Sequence, residues 1–119
     1  MKKVYYLSTC TTCKRILSET GLKEKGFELQ DIKTNSLNEE QVDELYKLAG
    51  TYEAMFSKVA RKYKELGLKN MVLTEEDYKK YLLTDYTFLK RPVVILENDI
   101  FIGNSKNNVE RLKERTTSL

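Results

Sequence analysis

Both cysteines of this chain fall in one short stretch, Ser8-Thr9-Cys10-Thr11-Thr12-Cys13-Lys14-Arg15, set between the apolar run Val4-Tyr5-Tyr6-Leu7 and the segment from Ile16-Leu17 to Gly21. The run before it has the pattern of a strand, and the segment after it that of a helix and its end. A CxxC at such a junction is restrictive. It places Cys10 at a helix N-terminus, where unpaired backbone N–H groups and the helix dipole stabilise a thiolate. Cys13 follows one turn later on the same face, close enough to resolve whatever adduct Cys10 forms.

Histidine is absent. This excludes a Cys–His dyad, a Ser–His–Asp triad and a Cys₂His₂ zinc site, and two cysteines alone leave a structural zinc short of ligands, so no metal is expected. Activation of Cys10 has to come from the helix dipole and from Lys or Arg. The formal net charge of +3 is spread over cations that alternate with Glu and Asp, which gives no basic patch of the kind that binds nucleic acid directly. No run approaches the length of a membrane span, and the N-terminus enters a strand after two lysines without building the apolar core of a signal peptide. The expected protein is therefore cytoplasmic and monomeric, with no membrane contact, and in that compartment a cysteine pair serves chemistry rather than stapling. With 119 residues, 40% of them hydrophobic, the chain has material for a single domain over 1–119 with one modest core.

In chain order, residues 3–7 read as a strand and about Thr11 to Lys25 as a helix, with Ile16 and Leu17 inward and Leu22 closing the turn after Gly21. Phe27 to Ile32 alternates apolar and polar residues, which is strand periodicity. Strand, helix and strand with a connection of helical length make a βαβ unit and predict two parallel neighbours. From Ser36 the character becomes helical. Asn38-Glu39-Glu40-Gln41 opens a helix with Val42, Leu45 and Leu48 on one face, ended by Gly50. A second helix is predicted over Tyr52–Leu66 with Met55, Phe56, Val59 and Tyr63 aligned, ended by Gly67. A third opens on Thr74-Glu75-Glu76-Asp77 and carries Tyr78, Tyr81 and Leu82. After Lys90-Arg91-Pro92 come the strand Val93–Leu96, a turn at Glu97-Asn98-Asp99, the returning strand Ile100–Ile102 and a final helix burying Val109 and Leu112. The architecture is α/β, βαβ–ββα, a four-stranded mixed sheet with a helical insert at about 36–85 between its halves. With a CxxC after the first strand, this is the outline of a thioredoxin-like fold. The single proline, Pro92, stands where that fold places a cis peptide bond beside the CxxC.

Cys10-Thr11-Thr12-Cys13-Lys14, an insert with Tyr63-Lys64-Glu65-Leu66-Gly67-Leu68, and Arg91-Pro92 before a strand together resemble the arsenate reductase (ArsC)/Spx family over nearly the whole chain. The resemblance implies that Cys10 is the nucleophile, attacking the arsenic of arsenate in the reductases. Cys13 or an external thiol resolves the adduct. Arg91 matches the arginine that holds the oxyanion and favours the thiolate. Arg91, Pro92, Thr11 and Thr12 are the implied substrate-binding residues for a small oxyanion or a thiol/disulfide. No cofactor is bound; the implied partner is an external thiol reductant, glutathione with glutaredoxin, or thioredoxin. Two further arginines of the reductases have no counterpart here, their places falling at Phe56 or Ser57 and at Gly103 or Asn104, with Arg61 a helical turn away as a substitute for the first. Each missing charge-assisted contact costs about 1.5–3 kcal/mol of anion binding. The CxxC and Gly50-Thr51 match instead the Spx branch, whose members are redox-switched regulators that bind the RNA polymerase α subunit. A glutaredoxin-like thiol exchanger ranks last, since the helical insert has no place in it.

Overall fold

The computed structural model describes residues 1–119, which form two compact units, Met1–Asn35 with Arg91–Leu119, and Ser36–Lys90. The first unit holds the whole sheet: β1 (Lys2–Tyr6), β2 (Glu28–Asp31), β3 (Val93–Leu96) and β4 (Asp99–Ile102), in the order β2-β1-β3-β4. The expected parallel pair is present, with Val4 opposite Leu29 and Tyr6 opposite Asp31, while β3 runs antiparallel to both β1 and β4. Side chains alternate across the pleat, so Val4, Val94, Leu96 and Phe101 share one face with Leu29. There they pack with Ile16 of α1 (Thr11–Thr20) and Leu112 of the last helix, α5 (Lys106–Thr117), around Leu22 and Phe27. Tyr5, Val93 and Ile95, on the opposite face, are buried as well, which is why β1 and β3 read as continuous apolar runs.

The first helix is shorter than its apolar pattern suggests. Gly21 adopts φ 63° and its N–H donates to the Leu17 carbonyl, closing α1 with a left-handed residue. The chain then makes irregular turns to Gly26 in place of the last helical residues expected up to Lys25, and Leu22 is buried from the turn after Gly21. The β3–β4 connection is the two-residue turn Glu97-Asn98, with Asp99 already in β4. Glu97 has φ 56°, and its N–H donates to the Met1 carbonyl at 2.8 Å.

The unit Ser36–Lys90 contains α2 (Glu39–Ala49), α3 (Arg61–Glu65) and α4 (Glu75–Thr84) with three 3₁₀ turns. Asn38 and Thr74 close full capping boxes with Gln41 and Asp77, as their sequences indicate. Of the helix expected over Tyr52–Leu66 only the end forms, as α3. After a 3₁₀ turn at Glu53–Met55, Phe56 is extended and bridges Leu89. The Ser57 N–H donates to Phe88 O at 2.7 Å and the Lys90 N–H to Met55 O at 2.9 Å, so these backbone groups are satisfied across the chain instead of along a helix. The aromatic side chains decide this. Phe56 stacks on Phe88 at 5.1 Å and meets Tyr78 edge-on at 4.9 Å, whereas Val59, expected to point inward, is 89% exposed.

Candidate functional site

The site is built on the connection between β1 and α1. Leu7 to Cys10 forms a tight turn closed by the Cys10 N–H donating to the Leu7 carbonyl at 3.0 Å, and Cys10 is the N-cap of α1 with extended backbone (φ −93°, ψ 112°). Its carbonyl accepts the first intrahelical bond, from the Lys14 N–H at 3.1 Å. Both thiols are free, Cys10 half-buried and Cys13, one turn later, 0% exposed. Thr11 and Thr12 occupy the first turn, Thr11 exposed and Thr12 half-buried. Lys14 and Arg15 lie on the solvent side.

The two sulfurs have opposite environments. Partial burial raises the Cys10 pKa, but the Cys13 N–H and thiol, the Thr12 N–H and the Arg91 charge together outweigh it, and the net shift is downward. The sulfur makes no formed capping bond, so these N–H groups act as donors close at hand that favour its ionised form. Burial pushes the Cys13 thiol up to about 11, against a hydrogen bond from the Leu7 backbone; its interaction with Cys10 adds to the rise. One cysteine is thus poised to be the thiolate and the other to hold its proton beside it.

Arg91 is half-buried and its charge favours the ionised form of both thiols. The Arg91–Pro92 peptide bond is cis. Pro92 is buried, and its carbonyl accepts the Gly103 N–H at 2.8 Å, continuing the β3–β4 ladder past its last pair. Cys10, Cys13 and Arg91 are therefore brought into electrostatic contact from distant parts of the sequence.

The positions proposed for the missing arginines supply no cation. Gly103 and Asn104 precede α5, with the Asn108 side-chain amide donating to the Gly103 carbonyl at 2.8 Å. Phe56 is committed to its aromatic cluster and Ser57 is buried in the same unit. The suggestion that Arg61 follows them by a helical turn fails, because the chain is extended at Phe56 and α3 begins only at Arg61. Gly50 is the left-handed C-cap of α2. Sequence reasoning missed Leu7, whose contribution is entirely backbone and leaves no side-chain signal, and it missed the carboxylate of Asp31, which accepts the Ser8 N–H at 3.3 Å.

A four-stranded mixed sheet in the order β2-β1-β3-β4, with a CxxC at the N-terminus of α1 and a cis-proline opening β3, defines a thioredoxin-like α/β protein. The ArsC family pattern matches residues 5–112, and the chain belongs to the ArsC family. Among solved structures it is similar to an ArsC family related protein from Bacteroides fragilis (26% identity, TM-score 0.73, covering 94% of this chain and 97% of that one). It is also similar to a protein from Staphylococcus aureus (27%, 0.71, 93% and 97%). An arsenate reductase from Vibrio cholerae shares the fold at 19% identity (0.75, 95% and 97%). No curated protein sequence matches the chain.

Proposed function

We propose that this protein is a thiol-dependent oxidoreductase in which the Cys10 thiolate attacks an oxyanion or a disulfide and Cys13 or an external thiol resolves the adduct. The observation that carries the reading is the division of labour between the two sulfurs: a half-buried Cys10 lowered in pKa at a helix N-terminus, and a buried Cys13 raised in pKa beside it. With a disulfide substrate, Cys10 forms a mixed disulfide and releases one substrate thiolate. Cys13 loses its proton and attacks the Cys10 sulfur, releasing the second thiol and leaving a Cys10–Cys13 disulfide; the two electrons come from the cysteine pair. The first step prepares the second. Two of the causes that raise Cys13, its hydrogen bond and its charge interaction with Cys10, vanish once Cys10 is bonded. With arsenate, the same attack displaces an arsenic-bound oxygen as water or hydroxide; a second thiol then attacks the Cys10 sulfur, and a disulfide forms as the S–As bond breaks and leaves its electron pair on arsenic, which falls from As(V) to As(III).

Arg91 serves as the fixed charge for an anionic substrate, with Pro92, Thr11 and Thr12 at its edge. The reductant is a thiol system, glutathione with glutaredoxin or thioredoxin. Purified protein mixed with arsenate, glutathione and glutaredoxin is expected to consume reducing equivalents, and Cys10→Ser is expected to abolish this. Absence of arsenate-dependent turnover removes arsenate as substrate and leaves disulfide exchange to be assayed by the same readout.

A second reading, a redox-switched regulator of the Spx kind binding the RNA polymerase α subunit, is favoured by one observation: the second cysteine is placed to act on the first, as a disulfide switch requires. A pulldown with the isolated C-terminal domain of the polymerase α chain, with and without diamide, tests it. Retention that depends on the oxidation state supports the regulator.

A further inference from the structure

The turn that carries Cys10 is held from outside by one side chain. β1 ends at Tyr6, whose carbonyl accepts the Ile32 N–H at 2.9 Å, the last ladder bond with the neighbouring strand. Beyond it, Leu7–Cys10 has its own internal bond, from the Cys10 N–H to the Leu7 carbonyl. Asp31, the last residue of β2 and the register partner of Tyr6, reaches across to this turn. Its Oδ1 accepts the Ser8 N–H at 3.3 Å and the Lys33 N–H at 3.2 Å. The Asp31 backbone is fixed in turn, its carbonyl accepting the Asn35 N–H at 2.9 Å and the Thr34 hydroxyl at 3.4 Å.

We infer that Asp31 is a positioning residue for Cys10, clamping the Ser8 end of the turn so that the Cys10 sulfur stays at the α1 N-terminus. The chemistry of the carboxylate suits this. An ionised acceptor takes two N–H donors at once from two segments, and such bonds are stronger than those to a neutral group. A hydrogen bond from the Ser8 side chain, with further ones from the Lys33 and Ser8 backbone, holds the Asp31 carboxyl below its ordinary value and favours its ionised form. Its charge alone would work against Cys10 ionisation, since a nearby negative charge disfavours a thiolate. The geometric and electrostatic contributions of Asp31 therefore have opposite signs, which makes the role separable by experiment.

The inference rests on the proposed activation of Cys10, so the test begins with the unmodified protein. Alkylation of Cys10 by iodoacetamide as a function of pH gives its pKa in the full chain, with folding of each variant followed by circular dichroism. A wild-type Cys10 that titrates at the ordinary thiol value overturns the functional reading itself. Given a lowered wild-type value, Asp31→Ala is expected to raise the Cys10 pKa by about one unit, about tenfold less thiolate at neutral pH, the equivalent of one hydrogen bond to a charged group. Asp31→Asn, which keeps an acceptor for the Ser8 N–H, is expected to stay within about twofold of wild type in thiolate fraction. A Cys10 pKa unchanged in folded Asp31→Ala, or lowered in both variants, overturns the positioning role: the first would make Asp31 a purely structural residue, the second a purely electrostatic one.

Discussion

Replacing Cys13 by alanine separates the two things the second cysteine does, resolving an adduct and stabilising the Cys10 thiolate. Cys13 is fully buried and its thiol is held protonated by burial, so at neutral pH it carries no charge and acts on Cys10 only as a donor. A hydrogen bond to a charged group contributes about 1.5–3 kcal/mol, and a thiol is a weak donor, so the low end applies. At about 1.4 kcal/mol per pKa unit, Cys13→Ala should raise the Cys10 pKa by about one unit. The Cys13 backbone N–H survives the substitution, which sets the upper limit on the effect. Iodoacetamide alkylation against pH reads the shift directly, and Cys13→Ser, which restores a stronger donor, should bring the pKa back to or below the wild-type value. A Cys10 pKa unchanged or lowered in Cys13→Ala would refute the assignment of Cys13 as donor and leave the helix N-terminus as the cause.

Arg91→Met should also raise the Cys10 pKa, by less than Cys13→Ala, because a point charge in a half-solvated site is screened; the same alkylation series measures it. Stability should fall in alkali. The raised Cys13 pKa contributes stability that is fully present below the unfolded thiol value, about 8.5, and is lost as pH climbs toward the folded value of about 11. Melting of wild type should therefore drop more steeply over that window than melting of Cys13→Ala. Leu112→Ala removes a buried side chain from the core on the α1–α5 face of the sheet and is expected to cost about 2–5 kcal/mol in denaturant unfolding, set by how far the site collapses. Asn38→Ala breaks the α2 capping box for about 1 kcal/mol, read from the urea midpoint.

What the chain declares by itself is local. Apolar runs, caps and glycine stops are short-range signals, so β1, β3, β4, the N-termini of α2 and α4, and the end of α2 at Gly50 follow from neighbouring residues alone. The CxxC belongs to the same class, because its chemistry needs only a strand before it and a helix after it. Arg91 and Pro92 became legible through resemblance, not periodicity. The Tyr52–Leu66 segment marks the limit: Met55, Phe56, Val59 and Tyr63 have helical spacing, yet Phe56 extends to stack on Phe88, a partner far along the chain. Tertiary packing overrode a period that no local rule contradicted. The clamp from Asp31 to Ser8 was invisible for a related reason: it depends on β2 lying parallel beside β1 in one register. The sequence chose the sulfurs and the helix end. Only the assembled sheet decides which sulfur is buried, which keeps its proton, and what holds the turn between them.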